Sequence, residues 1–276
     1  VGTLRPPPLR PKRSLGQNFL RDKNIARKIV AAIAPQPDQV MVEIGPGEGA
    51  LTKYLAPCVD RLVAIDIDRR VITRLQETIS EPSITLLCQD VLETDFASLA
   101  SRGRLRVIGN IPYNITSPIL FHVLDNRQYV ADAIFMMQRE VARRLVAPPH
   151  TKEYGILSVF CQLFADVALL FDVSPNAFFP RPSVTSSVVR LTILSAPRFG
   201  LRDEEFFRAM VRSVFGKRRK TLRNSLSYFL NQRGYTLPPS SALQARPEDL
   251  TLKQIVELGN ALYEQISSLP APTSPA

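Results

Sequence analysis

The alternation of short β-rich runs with helical patterns constrains this chain more than any other feature. The runs are VMVEI at 40–44, RLVAID at 61–66, ITLLC at 84–88, RVIG at 106–109 and AIFMMQ at 133–138. This order predicts an open, mostly parallel α/β sheet. Two later runs, VALLFDV at 167–173 and SSVVRLTIL at 186–194, have no helix between them and predict an antiparallel hairpin at the sheet edge. Beyond Ala196 the β character stops. Helical patterns follow from Asp203 to Phe215, from Lys220 to Leu230 and from Leu252 to Ile266, the last with Thr251 as its cap. A chain of 276 residues holds one large and one small domain. The division predicted is a basic proline-rich arm at 1–13, a Rossmann-like α/β domain at 14–195 and a small all-helical domain at 196–276.

The 35 Lys and Arg outnumber 25 Asp and Glu, for a formal charge of +10. That excess favours an anionic partner, with nucleic acid first among the candidates. The charge is clustered. Residues 1–30 carry Arg5, Arg10, Lys12, Arg13, Arg21, Lys23, Arg27 and Lys28 against Asp22 alone, and a second cluster, KRRKTLR, begins at Lys217. The segment RPPPLRPKR at 5–13 reads as extended and mobile until it meets a partner. Cys58, Cys88 and Cys161 form no CxxC pair and fit a reducing compartment. His122 and His150 lie near no cysteine, which speaks against a zinc site, and no metal is expected. His122, within ILFHVL, reads as a helix residue rather than a catalyst. No apolar segment approaches the roughly 18 residues of a membrane span, so a soluble protein is expected.

EIGPGEGA at 43–50 follows the first strand of the series and precedes the helical LTKYLA, which places it at the ligand-binding turn of a doubly wound sheet. It lacks the GKS or GKT of a phosphate-binding P-loop. Gly45, Gly47 and Ala50 satisfy the relaxed dinucleotide fingerprint, and Asp66 stands at the distance expected of a ribose-binding acid. The loop alone therefore leaves a nicotinamide cofactor and S-adenosylmethionine both open. Asp90, in LLCQDV, lies just past the third strand, where it can read an adenine edge or cap the turn.

NIPYN at 110–114 lies just past the fourth strand. Asn110 can offer an amide oxygen to an exocyclic amine, Pro112 fixes a turn, and Tyr113 supplies a stacking face. An adenine N6 amino group needs these elements: its lone pair is delocalised into the ring, and acceptors that strengthen in the transition state favour attack by nitrogen. Once methylated, the nitrogen loses its proton readily, so no tuned base is required. In NAFFPRPSV, Phe178 or Phe179 can supply a second stacking face, or both can be core residues. Ser117 before Pro118 predicts a helix cap with proline in the first turn.

Together SLGQNFL, EIGPGEGALT, QDV, GNIPYNITSPI, QREVARRLVA, YGILSV, FFPRPSVTSSVVRL and FGKRRKTLRNSL resemble the ribosomal RNA adenine N6 dimethyltransferases of the KsgA type, also called RsmA, over most of the chain. The resemblance implies a Rossmann-like S-adenosylmethionine-dependent methyltransferase sheet with a C-terminal helical domain. It implies that the cofactor contacts Asn18, Leu20, Gly45, Asp66, Asp90 and Asn110. Tyr113 and Phe178 would flank the target base, the FxPxP pattern selecting Phe178 over Phe179. Two positions depart from the family: Asp66, where Glu is usual and Asp68 lies close by, and Ile111, where Leu is common.

The implied reaction is dimethylation of N6 on two adjacent adenosines in the 3′-terminal hairpin loop of small-subunit (16S) ribosomal RNA, late in assembly. The implied partner is the small ribosomal subunit, with Arg13, Lys217, Arg218, Arg219, Lys220 and Arg223 holding phosphates. A cytoplasmic monomer of bacterial type is expected. The erythromycin-resistance methylases of large-subunit RNA share the core, but residues 133–165 and FGKRRKTLRNSL look more like the small-subunit enzymes. Two competing classes remain: an assembly factor acting mainly by occupying the particle, and a nicotinamide enzyme, which leaves NIPYN and the charge unexplained.

Overall fold

The computed structural model describes residues 9–216, 220–237 and 241–268. A two-residue strand β1 (Phe19–Leu20) leads into helix α1 (Lys23–Ile33). Strands and helices then alternate: β2 (Val40–Ile44), α2 (Thr52–Leu55), β3 (Arg61–Asp66), α3 (Arg69–Thr78), β4 (Ile84–Cys88), α4 (Phe96–Leu99), β5 (Leu105–Asn110), α5 (Thr116–Asp125) and β6 (Val130–Gln138). After α6 (Arg139–Val146) and α7 (Ile156–Phe164) come β7 (Ala165–Val173), β8 (Phe178–Phe179) and β9 (Ser186–Ile193). Helices α8 (Glu204–Phe215), α9 (Leu222–Asn231) and α10 (Leu252–Ser267) follow.

Seven strands form one sheet in the order β4-β3-β2-β5-β6-β9-β7. β2 through β6 pair in parallel, and β9 runs antiparallel to β6, with Ser186 opposite Gln138. β3 and β4 build outward from one side of β2, and β5 and β6 from the other. The chain direction across the sheet therefore reverses between β2 and β5, and the loops leaving their carboxyl ends diverge to leave a crevice. Every residue of β2 is buried, as a central parallel strand covered on both faces requires. That includes Glu43, an acid within an otherwise apolar strand. Arg106 on β5 forms a two-pronged ion pair with Asp132 on β6 (2.8 Å for each contact) and donates to the Ile33 carbonyl at the end of α1. This cross-link ties the switch-point strand to the helix beneath it.

The helix starts follow from the sequence. Asp22 accepts from the backbone of Asn24 and Ile25 at the head of α1, Asp203 caps α8, and Thr251 and Gln254 form a reciprocal capping box on α10. The expected cap at Ser117 is corrected. A short 3-10 turn at Tyr113–Ile115 runs straight into α5, Thr116 donates its hydroxyl to the Pro112 carbonyl, and Ser117 and Pro118 fall inside the first turn. The expected edge hairpin is interrupted as well. β7 and β9 are neighbours, but the chain between them leaves the sheet so that β8 can pair antiparallel with β1.

The chain clusters into two compact units, one of residues up to 142 with 166–193, the other of 143–165 with 194 onward. Residues 143–165 thus join the later helices, where a division at 195 and 196 would be strictly sequential. The reason is aromatic packing: Phe160 on α7 meets Phe207 on α8 edge to face at 6.2 Å, and Phe206 meets Phe229 on α9 at 5.4 Å. Among the described residues, no helix is long and apolar enough to cross a membrane.

Candidate active site

A cavity of about 210 Å³ opens at the carboxyl ends of β2, β3 and β5. Its wall brings together Asn18, Leu20, Gly45, Asp66, Asp90, Asn110 and Tyr113. These residues span nearly a hundred positions, and the switch point is what gathers them. Two glycines make the approach feasible. Gly47 has φ +56°, and a Cβ there would lie 2.9 Å from the Phe19 ring. A Cβ at Gly109 would collide with the Ile44 carbonyl, so only glycine lets β5 run this close to β2 immediately before Asn110. The amide of Gly45 donates to the Ile65 carbonyl at 3.0 Å, which pins the turn to β3.

Four acids line the cavity; Glu48 is paired with Arg21, and the other three each have a different environment. Asp66, at the end of β3, accepts from the Asp68 amide at 2.8 Å through Oδ1. Burial raises its pKa to about 6, against the opposing pull of that amide. Glu43 was not singled out from the sequence, yet it is among the residues lining the cavity, and its buried Oε2 has no hydrogen-bond partner among the described residues. Burial lifts Glu43 to about 7, opposed by nearby Thr52 and aided by the charge of Asp66. The only sequence signal for it was an acid interrupting an apolar strand. Asp90 accepts from the Leu92 amide at 2.9 Å, so it caps its turn while lining the cavity.

Asp68 is placed quite differently from its neighbour. Its carboxylate receives Arg70 at 2.6 Å, Gln17 at 3.1 Å and Lys12 at 3.3 Å. The Arg70 contact in particular holds it well below the usual carboxylate range. Asp68 does not line the cavity, which leaves Asp66 as the acid at the end of β3 that does. The same cluster corrects the picture of a mobile arm. Arg70 donates to the Arg10 carbonyl and the Leu9 amide donates to Glu48, so the described end of the arm, from Leu9, is anchored beside the cavity.

Asn110 donates its Nδ2 to the Asn18 carbonyl at 2.8 Å. That bond fixes the amide of this cavity-lining residue, and Oδ1, an acceptor, has no hydrogen bond among the described residues. The Tyr113 hydroxyl is 2.6 Å from Ser186 Oγ at the start of β9, which positions the ring; burial raises the phenol's pKa further. Ser186 is a second residue that sequence reasoning missed.

Phe178 is not on the cavity wall. It is 5 % exposed and sits in the apolar core with Leu20 and Val188, while Phe179 is 52 % exposed with the Arg21 guanidinium 5.4 Å from its ring centre. The strand register explains the split. Phe178 lies opposite Leu20 and Phe179 opposite Phe19, so the two rings point to opposite faces of the β1–β8 pair. Of the residues expected to hold phosphates, Arg13, Lys220 and Arg223 are exposed, and Lys217, Arg218 and Arg219 lie outside the described residues.

A mostly parallel sheet of this order with an antiparallel strand inserted near one edge, a glycine turn after the central strand and an acid ending the next is the arrangement typical of S-adenosylmethionine-dependent methyltransferases. Residues 9–262 match the family model described as ribosomal RNA adenine dimethylase. Curated relatives named ribosomal RNA small subunit methyltransferase A are 44 % identical over 94 % of this chain and 95 % of the relative (Chlorobium phaeobacteroides) and 46 % identical over 88 % and 90 % (Prosthecochloris aestuarii). Among solved structures, a dimethyladenosine transferase from Plasmodium falciparum superposes with a TM-score of 0.76 at 24 % identity, covering 91 % of this chain and 98 % of that one. The 23S rRNA methyltransferase ErmE gives 0.63 at 26 % identity, covering 87 % and 100 %.

This chain belongs to the ribosomal RNA adenine dimethylase family. It is an S-adenosylmethionine-dependent adenine dimethyltransferase of ribosomal RNA, as its motifs led one to expect, and the nicotinamide alternative falls. The residues present suit the cofactor: Glu43 and Asp66, both lining the cavity, bring carboxyl groups toward a ligand that carries an ammonium group, a sulfonium and a ribose diol, and the buried Glu43 Oε2 has no partner among the described residues.

Proposed function

We propose that the chain dimethylates N6 of two adjacent adenosines in the 3′-terminal hairpin loop of small-subunit ribosomal RNA, late in subunit assembly. It would act as a cytoplasmic monomer. The observation that carries the reading is the tether of Asn110: with Nδ2 held by Asn18, the acceptor Oδ1 is presented at the switch point without having to reorganise.

When bound, S-adenosylmethionine supplies an electrophilic methyl group. In this reading Asp66 holds the ribose, Asp90 the adenine edge, and Asn18, Leu20 and Gly45 complete the cofactor wall. An adenosine swings out of its stack, and Asn110 Oδ1 accepts a hydrogen bond from its N6 amino group. That bond strengthens as nitrogen gives up its delocalised lone pair and becomes cationic, which lowers the barrier. Tyr113 covers one face of the base. Phe178 is assigned the other face and must leave its packing against Leu20 to reach it. No residue of this chain needs to remove a proton before attack, since the methylated nitrogen is acidic enough to release one to water.

Arg13, Lys217, Arg218, Arg219, Lys220 and Arg223 are assigned to RNA phosphates, and residues 196–276 to an RNA-binding helical domain. The test is incubation with labelled S-adenosylmethionine and small subunits lacking the dimethyl mark, followed by nucleoside mass spectrometry. Dimethyladenosine at the paired positions is expected. Subunit binding without transfer would favour the assembly-factor reading instead.

A further inference from the structure

The structure sorts the N-terminal basic cluster into two groups. Lys12 is paired with Asp68 at 3.3 Å and Arg21 with Glu48 at 2.8 Å, so both are neutralised within the protein. Lys23, Arg27 and Lys28 on α1, together with Lys53 on α2, are exposed and have no carboxylate partner among the described residues. Lys23 and Arg27 stand four positions apart on one helix, a like-charge pairing that is unfavourable when no anion intervenes.

Three of these cations are held by aromatic rings. The Arg27 guanidinium lies 5.7 Å and the Lys53 ammonium 5.1 Å from the centre of the Tyr54 ring, and Lys28 lies 4.0 Å from that of Phe171. A ring holds a cation in place without cancelling its charge, whereas a carboxylate cancels it. Lys23, Arg27, Lys53 and Tyr54 line a groove that also includes Glu48 and Thr78. Glu48 is already occupied by Arg21 and the Leu9 amide, and Asp22, the acid nearest in sequence, caps α1.

We propose that this groove is an RNA-backbone site that seats phosphates of the ribosomal substrate, distinct from the Lys217–Arg223 stretch and adjoining the cofactor cavity and the arm at Glu48. It rests on the reading above that the substrate is RNA. The groove reads phosphate rather than base, because two cations lie against the Tyr54 ring and the charged groups it presents beyond the occupied Glu48 are the cations Lys23, Arg27 and Lys53, which match phosphate oxygens. Its contribution is affinity and orientation of the RNA.

The test compares Arg27→Ala/Lys53→Ala with Arg69→Ala/Arg102→Ala, an equal loss of exposed charge elsewhere on the same unit. Binding to unmethylated small subunits is measured over a salt series, with S-adenosylhomocysteine affinity and thermal midpoint as folding controls. The groove variant is expected to bind at least about tenfold more weakly and to lower the slope of log K against log salt by about 2, while the control variant changes little. Arg27→Lys/Lys53→Arg should restore binding. An unchanged slope in the groove variant, or an equal fall in the control, overturns the proposal. Transfer to subunits by the wild type, measured alongside, separates this failure from failure of the functional reading, since absence of both binding and transfer would overturn the two together.

Discussion

Around Glu43, Asp66 and Asp90 the cavity wall is made of carboxyl groups, two of them with raised pKa values and one with a partnerless oxygen. Around Asn110 and Tyr113 it is made of groups neutral at physiological pH, each held by a hydrogen bond to a neighbour. The acidic half suits a ligand with donors and positive charge. The amide half is complete in advance and keeps one acceptor pointed at the place where charge will develop. Binding and chemistry are therefore divided between the two halves, and substitutions in each should fail in different ways.

The largest effect is expected at Asn110. Asn110→Ala removes the acceptor and should lower methyl transfer by about 10²–10³-fold, by analogy with loss of one preorganised hydrogen-bonding group. S-adenosylhomocysteine affinity should fall far less. An equal loss in both measurements would erase the division between the halves.

Next is Asp66. Asp66→Ala should weaken S-adenosylhomocysteine by about 1.5–3 kcal/mol, the worth of hydrogen bonds to a charged group, as read by calorimetry. In the wild type that affinity should be fully present above about pH 6 and fall below it, since only the ionised carboxylate accepts both ribose hydroxyls. Cofactor-free stability should run the other way. Asp66 and Glu43 have folded pKa values above their unfolded ones, so their contribution is present at low pH and lost as pH rises through about 6 and about 7. Opposite slopes for binding and stability between about pH 5 and 7 are the signature to look for; Asp66→Asn should flatten the binding slope.

Asp68→Asn should behave as a structural change. Its two hydrogen-bonded cations are exposed, so the expected loss is about 1–2 kcal/mol in denaturant unfolding. Because the folded pKa of Asp68 is depressed, its contribution is present above the normal carboxylate range and disappears on acidification. The smallest effect is expected from Tyr113→Phe, which keeps the ring and removes the bond to Ser186. About 0.5–1.5 kcal/mol of stability and less than tenfold in transfer should be lost.

The two halves were unequally legible in the sequence. NIPYN, the glycine turn and Asp66 announce themselves because strand-then-turn patterning places them at one sheet edge. Glu43 stayed hidden because a single acid inside an apolar strand has no periodicity to mark it. Ser186 and the cluster of Lys12, Gln17 and Arg70 on Asp68 depend on contacts between residues more than fifty positions apart in all but the Arg70 case. Local patterning carries no information about such contacts. Phe178 and Phe179 show the limit most plainly: adjacent identical residues in a two-residue strand leave the inward face undetermined, and only the register against Phe19 and Leu20 decides it. The start of α5 was misplaced for a related reason, since a 3-10 turn entering a helix needs no capping side chain at Ser117.

The central claim is that a tethered neutral amide performs the chemistry with no titrating base. The most direct test is the single-turnover rate of methyl transfer against pH, with cofactor and RNA both saturating so that the acidic half does not contribute. The rate should stay flat from about pH 7 to 9 in the wild type and stay flat, at a much lower level, in Asn110→Ala. A rate that climbs about tenfold per pH unit before levelling would reveal a general base and contradict the account.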